Sequence, residues 1–122
     1  MDEYFKSLLT QISETYNFLK EMKDKPGDLD IIKVQQGKIQ GLIKVLCNKI
    51  ETLHYESDDF SELLKVAKTY LKNYDFYDII DTYQLYSEDV MRIKNIRISI
   101  LSSLEETKLI SKIQSMLQHW DS

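Results

Sequence analysis

The side chains best suited to chemistry in this chain are two histidines, one cysteine and a run of aspartates. His54 and His119 each fall on a helix surface or end, and neither has the i, i+4 partner that a helical metal pair requires. His54 reads as a C-terminal cap or a partly buried ring. Cys47 lies within the apolar arc of its helix and reads as a small buried hydrophobe, the usual role of a free cysteine. Asp75, Asp78 and Asp81 recur every third residue on a largely polar face, with no conjugate base group beside them, and read as solvated. The three glycines, Gly27, Gly37 and Gly41, cannot build a phosphate-cradling loop. No catalytic constellation can be assembled from these parts, and no metal or cofactor is expected. The chain reads as a non-enzyme.

Composition narrows the remaining classes. A chain of 122 residues is long enough to bury about two thirds of its unfolded surface, so it needs no metal or disulfide to fold. A lone cysteine excludes an intrachain bridge and fits a reducing, cytoplasmic setting. The opening Met1-Asp2-Glu3 is acidic where a secretory signal is basic, and no apolar run approaches the ~18 residues of a membrane span. A net charge of −4 and a pI of about 5.2 argue against nucleic acid as a partner. Residues 55–90 hold nine acids against three lysines, and residues 91–122 hold five bases against three acids. That acidic stretch is either a solvated surface or a face for a basic partner.

The elements that position these side chains are helices. The only proline, Pro26, stands beside Gly27, so the turn punctuation that strands require is nearly missing. Apolar residues recur three and four apart almost throughout. One stripe over 3–23 holds Phe5, Leu8, Leu9, Ile12, Tyr16, Leu19 and Met22, and it ends before Pro26, where helical geometry is disfavoured for Lys25. Asp28 or Asp30 can cap the next helix, 29–54. Its apolar arc, from Leu29 and Ile32 through Ile39, Leu42, Ile43 and Leu46 to Ile50 and Leu53, is widened by Ile31, Val34 and Val45. Gly37 and Gly41 on its remaining side are tolerated glycines or mark a close backbone contact.

A third helix begins at Ser57-Asp58-Asp59, where acids suit the helix dipole, and carries Phe60, Leu63, Leu64, Ala67, Tyr70, Leu71 and Tyr74. The stripe then jumps to the opposite side of the helix, which places a break at 73–75. From Phe76 through Ile79, Ile80, Tyr83, Tyr86, Val90, Ile93, Ile100, Leu101 and Leu104 the drift is modest. This predicts one helix over 76–104, about 29 residues or ~43 Å long. A second jump sets Leu109, Ile110, Ile113, Met116, Leu117 and Trp120 opposite to Val90–Leu104. Ser103-Leu104-Glu105-Glu106 reads as a capping box starting a helix there, with a break near 103–107. The expected fold is all-α, residues 1–122 forming a single antiparallel bundle of four main helices plus a short C-terminal amphipathic helix. Ile39, Leu42, Leu46, Leu63, Ile79, Ile93, Ile100 and Leu104 are expected inside.

Two clusters suggest contact surfaces. Tyr70, Tyr74, Phe76, Tyr77, Tyr83 and Tyr86 fall within seventeen residues, and tyrosine supplies apolar area with a polar tip. Tyr77 lies off its helix's stripe. The other is the 107–120 stripe: Leu109, Ile113, Met116, Leu117 and Trp120 form a patch hard to cover once Leu104 faces the core, and so mark a site for a partner helix or a second copy. If that site lies elsewhere, Tyr74, Tyr77 and Tyr86 are the alternative.

Three stretches bear on family. They are the acidic lead-in Asp28-Leu29-Asp30-Ile31-Ile32, the following Lys38-Ile39-Gln40-Gly41-Leu42-Ile43, and Ile96-Arg97-Ile98-Ser99-Ile100-Leu101-Ser102-Ser103-Leu104. Together with the length and the Tyr/Ile/Lys-rich, cysteine-poor composition, they resemble the small helical export chaperones of flagellar type III secretion, the FlgN and FliT group. The resemblance implies a cytoplasmic protein that binds the terminal helices of a late flagellar subunit before export, by a helix-in-groove mode and without catalysis. Segment 107–120 would then be a groove wall or a mobile lid. Residues 55–86 have no counterpart in that pattern. A bacteriocin-immunity or antitoxin-like helical bundle, or a helical subunit of a larger assembly, fits the same residues.

Overall fold

A computed structural model describes residues 3–52 and 57–120. The expectations placed on Leu53 and His54 lie outside the described residues. Among those described, the regular structure is helical throughout, as the spacing predicts. Helix α1 spans Glu3–Glu21 and buries Phe5, Leu8, Leu9, Ile12, Tyr16 and Leu19, the stripe of three- and four-residue spacing. Gly27 then takes a positive φ of 86°, a conformation that a side chain would strain. Helix α2 runs from Asp28 to Thr52. Asp28 does not cap it in the expected way. Its carboxylate turns back to accept the Lys25 N–H at 3.1 Å, closing the reversal itself.

Helix α3, Asp58–Asn73, starts where expected, with the Ser57 hydroxyl accepting the Phe60 N–H at 3.1 Å. It stops at Tyr74, whose backbone is extended, so the break at 73–75 is present. The single helix over 76–104 is not. The chain instead forms a short helix α4, Tyr77–Thr82, a 3-10 turn, Tyr83–Tyr86, and a separate helix α5, Val90–Glu106. Asp89 makes the division: its carboxylate accepts the N–H groups of Met91 at 3.1 Å and Arg92 at 3.2 Å, the geometry of a helix start. Helix α6, Leu109–Gln118, follows Thr107-Lys108. Lys108 adopts φ 65°, a left-handed residue of the kind that ends helices, so the second break is also present. The Ser103 capping box is overturned. Ser103 is buried inside α5 and donates to the Ile100 carbonyl at 2.6 Å.

Among the described residues one apolar core draws on each helix from α1 to α6. Ile39, Leu46, Leu63, Ile93, Ile100 and Leu104 lie in it, whereas Leu42 is half-buried and Ile79 faces solvent. Ile79 is displaced because the short α4 turns only Ile80 inward. Ile31, Val34 and Val45, which widen the α2 arc, are exposed too. A Cβ at Gly37 or Gly41 would meet nothing within 4 Å, so neither glycine serves a close approach. Three polar side chains, Gln36, Tyr70 and Ser103, meet inside the core. The Tyr70 hydroxyl faces the other two without closing a well-aligned hydrogen bond, and burial pushes its pKa up.

Distant polar contacts tie the ends together. The Arg97 guanidinium donates to both carboxylate oxygens of Asp24, at 2.8 and 3.1 Å, and to the Leu19 carbonyl at 3.2 Å. It thus satisfies a free carbonyl at the end of α1, and the Asp24 partner holds its pKa above the usual value. Tyr16 donates to Glu105 at 2.5 Å. Lys112 of α6 reaches Asp59 at 2.8 Å and Glu62 at 3.3 Å, on α3.

Candidate docking surface

The two clusters singled out in the sequence come apart in the structure. Leu109 and Ile113 have no exposed area, and Ile110 is buried beside them. The patch expected over 107–120 is therefore corrected: Lys108 turns α6 back so that its stripe packs on α1, α3 and α5. A phase opposite to that of α5 would be wrong for a continuing helix and is right for one that reverses. Met116, Leu117 and Trp120 are half-buried against the same core. Met116 and Trp120 line a pocket of 440 Å³ with Ser57, Asp59, Phe60, Ser115 and His119, beside the start of α3.

The second cluster lies past the other end of α3. Tyr74 is half-buried, stacked between Tyr70 at 5.5 Å and Phe76 at 6.2 Å. From there the chain turns outward. Asp75 accepts the Tyr77 N–H at 3.0 Å, which starts α4; Phe76 and Ile80 are buried in the core and Tyr83 is half-buried against it. Tyr77 is 61% exposed, Met91 61% and Leu85 89%, and Ile79, Tyr86 and Val90 are exposed with them. Half of the twelve large hydrophobics exposed among the described residues thus lie in these fifteen positions. Scattered single hydrophobics are ordinary on a surface, but a concentration of them marks an interaction site.

The physical cause is local. The six residues of α4 and four of the 3-10 turn are too short to gather apolar side chains onto one face, so about half of them have nowhere to go but outward. The aromatic rings here are nevertheless held in place. The Arg92 guanidinium stacks 3.6 Å from the centre of the Tyr86 ring and pairs with Asp89 at 3.6 Å. The Lys33 ammonium lies 5.8 Å over the Tyr77 ring. Gly27 N–H donates to the Ser87 carbonyl at 2.8 Å. Gln84 Nε2 and Arg92 Nη1 are buried with no partner.

The stretch is also uniformly acidic. Residues 75–89 contain Asp75, Asp78, Asp81, Glu88 and Asp89 and no base. Sequence reasoning found Tyr77 and Tyr86 and missed Ile79, Leu85, Val90 and Met91. The missed signal was the cutting of the stripe: Tyr77 and Leu85 lie off it, and pieces of six and four residues do not carry the rest of it to the core.

Elsewhere, Cys47 is buried, and its surroundings push the thiol pKa up, by desolvation first and then by Glu51. That makes it a poor nucleophile. Among the described residues no group of three or more His, Cys, Asp or Glu is arranged to hold a metal ion. No helix of these residues is long and apolar enough to cross a membrane. No family model matches the chain, and no curated protein or solved structure is similar enough to it to show kinship.

Proposed function

We propose that this protein is a non-enzymatic helical module, four main helices packed antiparallel with short accessory ones, that binds another protein through residues 75–91. One observation carries the reading: Tyr77, Ile79, Leu85, Tyr86, Val90 and Met91 are all exposed within fifteen residues. Exposed side chains of this size add nothing to the stability of an isolated chain, and they contribute about 25 cal/mol per Å² once a partner covers them. The five acids among them favour a partner with basic residues beside its own apolar surface. The resemblance to flagellar export chaperones gives this reading one specific form, in which the partner is a helix of an export subunit.

The test is affinity capture from the native host, with wild type and a Tyr77→Ala/Leu85→Ala/Met91→Ala variant side by side. The expected result is a protein species, further copies of this chain included, that the wild type retains and the variant loses while circular dichroism shows equal helix content. Equal yields of the same species from both chains would remove 75–91 as the contact surface.

A further inference from the structure

The acidic, apolar stretch has a counterpart on the same molecule. Between Ile31 and Ile50, α2 carries four lysines, Lys33, Lys38, Lys44 and Lys49, and no acid. Its outward side exposes Val34 and Val45, and the glycines between them leave that side shallow, since neither position has a neighbour within 4 Å of a built Cβ. Lys38 and Lys44 are exposed and join none of the ion pairs found among the described residues. The lysine-rich face and the acidic stretch adjoin: Lys33 belongs to the first and lies over the ring of Tyr77, which belongs to the second.

Two adjoining patches of opposite charge, each with exposed apolar side chains, are complementary to themselves under a two-fold rotation. Such a rotation sets each patch of one molecule on the opposite patch of the other, and two-fold pairs are the commonest closed assemblies. A partner that is only basic would satisfy 75–91 and leave the α2 face uncovered; a second copy satisfies both at once.

We infer that the occupant of the 75–91 surface is the outer face of α2 in a second copy of this chain. The inference rests on the proposal that 75–91 is a contact surface. In the pair, Asp78 and Asp81 of one copy meet Lys38 and Lys44 of the other, and Leu85 and Tyr77 cover Val34 and Val45. The charges fix register and speed encounter, while the apolar contact supplies most of the affinity. Association therefore weakens as salt screens the exposed charges.

Charge reversal tests this. Lys38→Glu/Lys44→Glu sets two carboxylates opposite Asp78 and Asp81, and Asp78→Lys/Asp81→Lys sets two ammonium groups opposite Lys38 and Lys44. All four positions are exposed, so both variants fold. Sedimentation equilibrium should show the wild type as dimers, each variant alone weakened by about a hundredfold or more because like charges face each other, and an equimolar mixture of the two restored to dimers. A wild type that stays monomeric at all concentrations reached overturns the inference. So does a mixture no more associated than its components. A synthetic basic amphipathic helix, titrated into the wild type and followed by tyrosine fluorescence, separates the two levels. Its binding by a monomeric wild type overturns the second copy and keeps 75–91 as a contact surface; its failure to bind such a monomer removes both.

Discussion

Helix α6 and the 75–91 stretch make an instructive pair, because both follow a jump in the apolar pattern and both are rich in large side chains. In α6 the apolar residues share one phase. Leu109, Ile110 and Ile113 recur at helical spacing, so a single reversal at Lys108 delivers them together to the core. In 75–91 most apolar residues also share one helical phase, but the chain is cut into pieces of six and four residues that do not keep it. No rigid movement of such a segment buries all of them. The contrast teaches that a phase jump marks a change in chain direction, whereas a stripe cut into short pieces marks exposure.

The largest effect that could break this comparison concerns α6. Leu109→Ala should cost about 2–5 kcal/mol in denaturant unfolding, from lost transfer free energy plus the cavity left behind. A loss below about 0.5 kcal/mol, the range of surface substitutions, would place α6 with 75–91 as an accessory element. Truncation after Glu106 should for the same reason unfold the chain, since it removes three fully or nearly fully buried side chains from the core.

An intermediate effect sharpens the same point at the corner leading into α6. The Tyr16 phenol, bonded to Glu105 at 2.5 Å, has its pKa pushed up to about 12 by burial first and by Glu105 second. A phenol that ionises less readily in the folded than in the unfolded chain contributes stability that is whole below pH 10, its usual pKa, and is lost as pH rises toward 12. Unfolding measured across that window should show a decline that Tyr16→Phe removes. A decline of equal size in the variant would mean that this contact does not couple α1 to the corner.

The smallest effect belongs to 75–91. Leu85→Ser should change stability by no more than about 0.5 kcal/mol, although leucine is a residue whose loss from a core is costly. A destabilisation above about 2 kcal/mol, the lower end for a core site, would show that Leu85 packs on something in the isolated chain, and the contrast with Leu109 would collapse.

Much of the architecture was legible from periodicity because helix faces are written locally. The α1 stripe, the start of α3 at Ser57, and the turns near 74 and 107 each rest on residues within a few positions of one another. What escaped depended on distance or on competition. The division at Asp89 is a contest between continuing the helix and a side chain capping two free N–H groups, and the modest phase drift hid it. The Arg97 clamp joins residues 73 positions apart, beyond any local pattern. The candidate surface was half visible: tyrosine density pointed to Tyr77 and Tyr86, while Leu109 and Ile113 were misplaced because α6 was read as facing away from a core that it in fact completes.

The hydrogen bond from Gly27 to Ser87 has a further use. It links the reversal between α1 and α2 to the turn just ahead of α5, and its donor is the Gly27 amide. Whenever the 83–89 turn lifts away without global unfolding, this amide becomes accessible to solvent deuterium. Its exchange rate therefore reads the opening free energy of the contact segment alone, on a glycine resonance, and a bound partner would slow it.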